Sequence, residues 1–383
     1  MATESCDIIV IGAGIAGASA AAELAADARV VLLEMEPRPG YHASGRSAAY
    51  FAAAYGKAVV QAITRASEAF FRSPPPGFTE VDLFRPRACI WFGRPDQAPA
   101  LEAMRTAVPR LEFLDEAAVR ARVPVIRPGY LHGGLLDREG GDLDVEALLQ
   151  AYLKLFRRNG GRLCLDRRAE TLEPEGAGWA VTAGDTRFTA PVVVNAAGAW
   201  AEQVGERAGL AALGIRPLRR TALTIDAPAG VDIDDWPEMV DIDEAFYFKP
   251  DAGAILVSPA DETPTPPVDA QPEDLDVAIG VDRFEQATGI DVRHVRAAWA
   301  GLRTFAPDRV FVAGFDPRAA GFFWLAGQGG YGVQSSPAMA KLTRYLVSGV
   351  RPQGDFSDVL QYVEEVSPAR LVADAPSQST STE

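Results

Sequence analysis

Apolar and polar positions along the first 34 residues form blocks of strand and helix length. Residues 8–11 are a continuous apolar run, typical of a strand buried on both faces, and residues 18–26 are an alanine-rich helical segment. Residues 12–17 are rich in glycine and predict a turn, and residues 29–33 predict a second strand that closes at Glu34. This order predicts a βαβ unit.

Later segments repeat this pairing of buried strands with helices. Residues 145–159 have the periodicity of an amphipathic helix that ends at two glycines, and residues 337–348 predict a helix after a glycine-rich loop. Apolar runs predict four more buried strands, at 162–164, 190–195, 309–314 and 322–326. We therefore expect the chain to leave one α/β domain and return to it twice.

Between these returns the pattern favours antiparallel strands. Residues 85–93 predict one strand, and residues 216–260 alternate short apolar runs with turn residues. Within the second segment, 245–249 and 254–258 flank a Pro-Asp-Ala-Gly turn and predict a hairpin. The expected fold class is α/β, with a discontinuous nucleotide-binding domain and a second domain built on an antiparallel sheet.

A chain of 383 residues is long enough for two such domains. The nucleotide-binding domain is assigned to residues 1–56, 140–215 and 300–370, and the second domain to residues 57–139 and 216–299. The small polar residues of segment 371–383 predict a disordered tail.

Composition excludes several classes of function. A net charge of −15 disfavours binding to nucleic acid. The three cysteines are too few for a disulfide framework or a zinc site, so no metal is expected and a reducing, cytoplasmic location is predicted. No segment approaches the ~18 consecutive apolar residues of a membrane helix, so integral membrane contact is not expected.

The glycine turn after the first strand carries the candidate chemistry. In the motif GAGIAG, Gly12 permits a tight turn, Gly14 lets backbone N–H groups approach a pyrophosphate, and Gly17 lets the helix and strand pack closely. The N-terminus of the helix supplies positive potential, and Glu34 is placed to accept hydrogen bonds from a ribose. This fingerprint indicates a dinucleotide but does not distinguish NAD from FAD.

Two further segments favour FAD. GRSAA, residues 45–49, offers backbone donors and the Ser47 hydroxyl where the chain leaves the adenosine end. GQGGYGVQSS, residues 327–336, leads into a helix whose N-terminus would stabilise negative charge on a reduced flavin. A flexible loop is the alternative interpretation of the second segment.

With these motifs in order, the chain resembles the D-amino acid oxidase superfamily, most closely the bacterial D-arginine dehydrogenases. The likeness covers nearly the whole chain and includes GYHASGRSAA, VVNAAGAW, WAGLRTF and FFWLAGQGGYGVQ. It implies a Rossmann-like FAD-binding domain with a substrate domain, and oxidation of a D-amino acid to an imino acid that hydrolyses to a 2-oxo acid and ammonia. Relatives with covalent FAD carry a cysteine in the late glycine loop, which this chain lacks, so non-covalent FAD is expected.

The resemblance also implies which residues contact FAD. They follow the two glycine motifs and the segments between them: Gly12, Gly14, Ile15, Ala16, Gly17, Glu34, Met35, Arg46, Ser47, Ala48, Ala49, Ala169, Ala196, Gly198, Trp200, Gly301, Arg303, Gly329, Gly330, Tyr331, Gly332, Val333 and Gln334.

Four residues are implied in catalysis. Arg303 and Arg220 match positions that bind the substrate carboxylate, for which a guanidinium offers a bidentate fork. Tyr247 matches a tyrosine that contacts the substrate, and Tyr55 belongs to a lid, residues 50–56, that excludes water. The alternatives are surface ion pairs for the arginines, sheet packing for Tyr247 and domain-junction packing for Tyr55.

The substrate pocket is expected to include Tyr50, Cys89, Gly301, Gly330 and Gln334. At two of these positions the chain departs from the D-arginine pattern, since Cys89 replaces an acidic residue and Tyr50 replaces a histidine. Both changes remove polarity suited to a cation, so we expect a neutral or hydrophobic substrate side chain and an inert Cys89 in the pocket wall.

Several alternatives stay open at this point. The arginine pair would equally serve a glycine or secondary-amine oxidase, and a non-catalytic flavoprotein is a third class. A reductase that uses a nicotinamide would need a second nucleotide fingerprint, which we do not find. Oxygen or a quinone-like acceptor would reoxidise the flavin. No motif identifies a base among His42, His132 and His294; all three are expected at the surface, with contact between His42 and the cofactor as the alternative.

Overall fold

The computed structural model describes residues 2–352, 354 and 356–372. Its strands are β1 (Ala2–Ser5), β2 (Ile8–Ile11), β3 (Val30–Leu33), β4 (Tyr50–Phe51), β5 (Phe84–Pro86), β6 (Cys89–Gly93), β7 (Glu112–Asp115), β8 (Gly133–Asp137), β9 (Gly141–Leu143), β10 (Arg162–Cys164), β11 (Thr171–Glu175), β12 (Gly178–Ala183), β13 (Thr186–Ala190), β14 (Val192–Asn195), β15 (Arg216–Asp226), β16 (Glu238–Asp241), β17 (Tyr247–Asp251), β18 (Ala254–Ser258), β19 (Thr263–Pro264), β20 (Val295–Phe305), β21 (Val312–Phe315) and β22 (Phe322–Ala326).

The helices are α1 (Ile15–Leu24), α2 (Ala58–Arg72), α3 (Ala98–Ala107), α4 (Glu116–Arg122), α5 (Val145–Arg158), α6 (Ala201–Arg207), α7 (Asp274–Thr288), α8 (Gly332–Ser348), α9 (Ser357–Leu360), α10 (Val363–Val366) and α11 (Ala369–Val372). Short 3₁₀ turns lie at Ser44–Arg46, Pro95–Gln97 and Gly198–Trp200. Within the described residues, no helix is both long and apolar enough to cross a membrane.

A six-stranded sheet forms the predicted α/β domain, in the order β10-β3-β2-β14-β22-β21. All neighbouring pairs are parallel except β21 with β22. Its central strands are continuous apolar runs buried on both faces, as a sheet covered by helices requires. The predicted α/β class and the predicted return of the chain to this sheet are therefore confirmed.

Helices α1 and α8 both begin earlier than the sequence predicts. Gly14, just before α1, has an extended backbone, and the Ile15 N–H donates a hydrogen bond to the Ser44 hydroxyl at 2.9 Å. Helix α1 therefore begins at Ile15. Helix α8 begins at Gly332 and passes through Pro337. Proline has no N–H to offer the Val333 carbonyl, which accepts a hydrogen bond from the Ser336 hydroxyl at 2.9 Å instead.

A nine-stranded sheet forms the second layer, in the order β19-β15-β18-β17-β16-β6-β8-β7 with β20 paired to β15. The predicted hairpin is present as β17 and β18. Strands β15 and β20 form a long antiparallel pair within this sheet. Strand β20 continues to Phe305, so the predicted domain boundary at residue 300 falls inside a strand.

A three-stranded sheet, β4-β9-β5, changes two predictions. The predicted strand 85–93 is two strands in different sheets, because the chain bends at Arg87, whose guanidinium binds Asp142 at 2.6 Å. Tyr50 and Phe51 of the predicted lid pair with β9, so they are held in a sheet. The other residues of the predicted lid, 52–56, lie outside any strand.

The predicted tail begins too early. Leu371 and Val372 belong to α11 and pack against the apolar core beside the six-stranded sheet. The remainder of that predicted segment, 373–383, lies outside the described residues.

Candidate cofactor and substrate site

A long cavity, lined from Glu34 at one end to Arg303 and Gly330 at the other, crosses the carboxyl edge of the parallel strands. The glycine fingerprint forms its floor. Gly12 has φ of +101°, and a Cβ there would lie 2.5 Å from the Ala196 carbonyl oxygen. A Cβ at Gly17 would lie 1.8 Å from the Gly12 carbonyl oxygen, so glycine is required at both positions.

Glu34 is fixed at the end of β3. It is buried, its Oε2 accepts from the Ala13 N–H at 2.7 Å, and its Oε1 accepts from the Glu36 N–H at 3.0 Å. Burial raises the pKa of this carboxyl above its usual range. The remaining lone pairs of Glu34 face the cavity, which is the position expected for a ribose acceptor.

His42 and Ser44 also line this end of the cavity; the sequence left contact between His42 and the cofactor open as the alternative, and it did not single out Ser44. The His42 Nε2 lies 2.9 Å from Glu36, and its ring centroid lies 4.5 Å from that of Trp200. The expectation that His42 lies at the surface is therefore wrong, because the turn through 41–46 folds it back over the cavity. Only the pairing of Ser44 with the start of α1 could have signalled this turn, and that pairing is non-local.

The structure brings most of the predicted cofactor residues to this one cavity. Those that line it are Gly12, Gly14, Ile15, Ala16, Glu34, Met35, Arg46, Ser47, Ala48, Ala169, Ala196, Gly198, Trp200, Gly301, Arg303, Gly329, Gly330, Gly332 and Val333. The Arg46 guanidinium is already bound to Asp269 and to the carbonyls of Ala270 and Ala300, so it joins segments of the wall.

Four predicted cofactor residues do not line the long cavity. Gly17 acts through packing, as its close approach to Gly12 shows. Tyr331 is 3% exposed with its ring in the core, so its prediction as a lining residue is wrong. Ala49 and Gln334 line the neighbouring cavity instead, where the Gln334 amide bonds both the N–H and the carbonyl of Ala52.

The end of the long cavity near Arg303 fits the ring system of a flavin. Gln328, which the sequence analysis did not single out, lines this end with a buried Nε2 that has no hydrogen-bond partner in the described part of the chain. A buried donor without a partner is costly unless a ligand accepts from it. Gly329 has φ of +51°, and a Cβ on Gly329 would collide with the Phe305 ring. The glycine-rich loop therefore packs closely against the end of β20. The residues present therefore fit FAD.

A side cavity adjoins the long cavity on the face of the nine-stranded sheet, lined by Tyr50, Tyr55, Trp91, Glu238 and Glu244 among others. The residues that border both cavities mark the junction: Ser47, Ala48, Arg220, Tyr247, Arg303, Gly330 and Val333. Three of the four predicted catalytic residues thus lie at the junction, and the fourth, Tyr55, lines the side cavity.

Arg303 and Tyr247 present unused polar groups at the junction. Across residues 2–352, 354 and 356–372, the Arg303 guanidinium makes no hydrogen bond and no ion pair, and the Tyr247 hydroxyl has no partner. A Cβ at Gly330 would lie 2.9 Å from Arg303 Nη1, so glycine leaves the space that the guanidinium occupies. A guanidinium and a phenol hydroxyl with unused donors can together donate hydrogen bonds to a carboxylate.

Arg220 is held differently. Its Nε donates to the Asp261 carbonyl at 2.9 Å, and its Nη2 donates to Glu262 at 3.1 Å. Glu262 also binds Arg309 through both oxygens, at 2.7 and 2.9 Å. Burial, and then the positive charge of Arg303, lowers the pKa of Arg220. Arg220 therefore contributes potential to the junction while its own charge is largely compensated.

Tyr55 closes the side cavity from the lid. Its hydroxyl donates to Glu244 at 3.2 Å, and its ring lies 5.2 Å from that of Tyr331 and 6.3 Å from that of Trp91. The hydrogen bond to Glu244 joins the segment of the predicted lid that carries Tyr55 to the loop before β17.

The sequence predicts that Cys89 replaces the acidic residue of the pocket wall. The sheet register corrects this prediction, because it brings a different acidic residue to that wall. Cys89 is 1% exposed and does not line the side cavity, so it is not a pocket residue. Burial raises its pKa well above the usual value, consistent with an inert thiol. The parallel pairing of β16 with β6 sets Glu238 beside Cys89, and Glu238 does line the cavity. Tyr50 lines it as predicted, with its hydroxyl bound to the Arg87 carbonyl at 2.6 Å.

The other predicted pocket residues divide between the cavities. Gln334 and Gly330 line the side cavity, whereas Gly301 lines only the long cavity. In the described ranges, no group of three or more histidine, cysteine, aspartate or glutamate residues is arranged to hold a metal ion.

Comparison with known families and structures agrees with this geometry. A family model for the FAD dependent oxidoreductases, abbreviated DAO, matches residues 7–346. A solved glycine oxidase from Geobacillus kaustophilus is similar with a TM-score of 0.81 and 21% identity, covering 93% of this chain and 98% of that one. A solved L-proline dehydrogenase from P. horikoshii is similar with a TM-score of 0.82 and 17% identity, covering 97% and 99%.

A monomeric sarcosine oxidase from Streptomyces avermitilis is similar at the level of sequence. It is 30% identical over 209 residues, which are 52% of this chain and 53% of that protein. The aligned stretch thus spans about half the length of each chain.

Proposed function

Because the chain belongs to the DAO family of FAD-dependent oxidoreductases, we propose that it oxidises the carbon–nitrogen bond of an amino acid, with a D-amino acid as substrate. The observation that carries this proposal is that the Arg303 guanidinium and the Tyr247 hydroxyl, side by side at the junction of the two cavities, have no partner among the described residues. The D configuration is supported by the sequence resemblance alone, and so is the likeness to D-arginine dehydrogenases.

Substrate orientation follows from which groups are free. The substrate carboxylate would bind Arg303 and Tyr247, with Arg220 adding positive potential from the neighbouring strand. This anchor places Cα between the junction and the end of the long cavity near Gln328 and Gly329, where the flavin ring would lie. Holding the carboxylate in this way would orient Cα for the reaction.

Bound FAD supplies the acceptor for the hydride that leaves Cα. The substrate amine must first lose a proton, and we propose that water takes it, since the His42 imidazole lies at the opposite end of the long cavity. The amine lone pair then forms the imine as the hydride departs. Water hydrolyses the released imine to a 2-oxo acid and ammonia, and Tyr55 limits entry of solvent until that release.

FAD is proposed to be held without a covalent bond. The cysteines, Cys6, Cys89 and Cys164, all lie outside the late glycine loop, and none lines the long cavity. The oxidant of the reduced flavin is proposed to be oxygen or a quinone-like acceptor, and the location is proposed to be cytoplasmic.

A glycine or secondary-amine oxidase is the second candidate. The partial sequence similarity to a sarcosine oxidase supports it, and the carboxylate anchor would serve either substrate class. The side cavity favours the first candidate, because glycine and sarcosine carry no side chain that would reach Trp91 or Glu238.

Anaerobic reduction of the bound flavin tests the proposal. We expect D-amino acids to bleach the visible flavin absorbance faster than their L enantiomers, glycine or sarcosine. Bleaching by glycine or sarcosine alone would establish the second candidate, and no bleaching by any amino acid would overturn both.

A further inference from the structure

Glu238 is a buried carboxyl that the proposed chemistry does not use. It is 6% exposed and lines the side cavity, which Arg303 also borders. Across the described part of the chain, its side chain makes no hydrogen bond and no ion pair. A buried carboxyl without a donor is costly, so a ligand that supplies a donor is favoured at this position.

The charged neighbours of Glu238 are already engaged with one another. Lys249 binds Asp142 at 2.7 Å, and Arg87 binds the same carboxylate at 2.6 Å. Arg303 is the anchor for the substrate carboxylate. Lys249 and Arg87 are therefore paired with Asp142, and in the described residues neither they nor Arg303 forms an ion pair with Glu238.

The position of Glu238 follows from the sheet. Strand β16 pairs in parallel with β6, so that Glu238 lies beside Cys89 and Val240 lies beside Trp91. Residues paired in this way point to the same face, and Trp91 and Val240 also line the side cavity. The carboxyl thus lies in the same wall of the side cavity as two apolar residues.

We propose that Glu238 determines substrate specificity by accepting a hydrogen bond from the end of the substrate side chain. The substrate class is then amino acids whose side chain ends in a donor, either a primary amide or a cation, rather than the neutral aliphatic or aromatic class that Cys89 and Tyr50 suggested. This inference rests on the proposed amino acid oxidation.

The titration of Glu238 is consistent with this role. Burial, opposed by the nearby charge of Lys249, raises the pKa of Glu238 to about 7. The carboxyl is therefore able to accept from a neutral amide in its protonated form through its carbonyl oxygen, and from a cation once it is ionised. A hydrocarbon side chain would leave it without a partner in either form.

Matched substrate pairs test the proposal. We would measure kcat/KM for D-glutamine against D-methionine, and for D-lysine against D-norleucine, at pH 8. Since a site that hydrogen-bonds a substrate group discriminates strongly against an analogue that lacks it, the wild type should favour the donor in each pair by at least about tenfold.

Two variants and a control separate the role of the carboxyl from that of the wall. Glu238→Met keeps the volume and should abolish both preferences, whereas Glu238→Gln keeps an acceptor and should abolish only the preference for D-lysine. Cys89→Ala, beside Glu238 but outside the cavity, should leave both ratios unchanged. Wild-type ratios near one, or ratios that Glu238→Met does not alter, would overturn the proposal.

The two levels of inference fail in different ways. If D-norleucine and D-methionine reduce the flavin as fast as their partners, the role of Glu238 is wrong and the proposed oxidation stands. If no amino acid reduces the flavin, the proposed function itself is wrong. Should Glu238→Met fail to retain FAD, the wild-type ratios and Glu238→Gln still decide.

Discussion

Arg303 and Arg220 approach one junction from neighbouring antiparallel strands, but within the described residues only Arg303 presents a guanidinium without a partner. Arg220 shares Glu262 with Arg309 and also binds a backbone carbonyl. We therefore propose different parts for the two arginines that the sequence treats alike: Arg303 is the direct anchor for the substrate carboxylate, and Arg220 shapes the potential around it.

The asymmetry predicts unequal effects of substitution. Arg303→Lys should lower kcat/KM by about 100-fold, because a point charge cannot replace a bidentate fork at an otherwise unpaired site. Arg220→Lys should cost less, since Glu262 compensates its charge. Steady-state kinetics with the flavin content of each variant as control would measure this, and equal losses would contradict the assignment of Arg303 as the anchor.

The lid contact predicts coupling between two residues. Tyr55→Phe and Glu244→Ala each remove the same hydrogen bond of 3.2 Å, so the double variant should be less impaired than the sum of the single ones. A double-mutant cycle on kcat/KM should give a coupling of about 0.5–1.5 kcal/mol. Strict additivity would show that Glu244 does not hold the lid.

Burial of Glu238 predicts a pH-dependent cost to stability. Its pKa is about 7 in the folded chain against the usual 4.5. Below pH 4.5 the carboxyl is therefore protonated in both the folded and the unfolded chain, and it does not change the free energy of unfolding. As the pH rises from 4.5 to 7 the unfolded chain ionises while the folded chain does not, and the folded state loses about 3 kcal/mol of relative stability.

Glu238→Gln cannot ionise and should escape that loss. The free energy of unfolding of the FAD-loaded variant, relative to wild type, should therefore rise by about 2 kcal/mol between pH 5 and pH 8. Urea unfolding at the two pH values measures it, and a difference that does not change with pH would show that Glu238 titrates normally. The ionisable and charged groups that face this carboxyl are Lys249, Asp142, Arg303, Arg87, Cys89 and Tyr50.

Non-covalent cofactor binding predicts the outcome of acid precipitation. Because no cysteine lies in the late glycine loop or along the long cavity, FAD should pass fully into the supernatant. Colour retained in the pellet after washing would indicate a covalent bond to another side chain and would contradict this part of the proposal.

Local patterns in the sequence were enough to predict the flavin-side fold. The strand 8–11, the glycines at 12, 14 and 17 and the acidic end of β3 lie within one βαβ unit, where neighbours in sequence are neighbours in space. Periodicity and turn chemistry act over such short ranges, so strand, turn and helix were predicted with errors only at the helix ends.

The substrate wall was not predictable in this way. Glu238 and Cys89 are far apart in the chain and meet only because β16 pairs in parallel with β6. A residue-by-residue comparison placed the acidic function at Cys89 and concluded that it was lost. Gln328 was missed, and His42 was expected at the surface, for a related reason, since their positions depend on loops that fold onto the cavity.

The central claim is that Arg303 holds the carboxylate of an amino acid next to the flavin. The most direct measurement is the anaerobic rate of flavin reduction by the preferred D-amino acid and by its methyl ester, in the wild type and in Arg303→Lys. We predict that the ester reduces the wild-type flavin at least about 100-fold more slowly, and that Arg303→Lys slows the acid but hardly changes the ester. Equal rates for acid and ester in the wild type would contradict the claim.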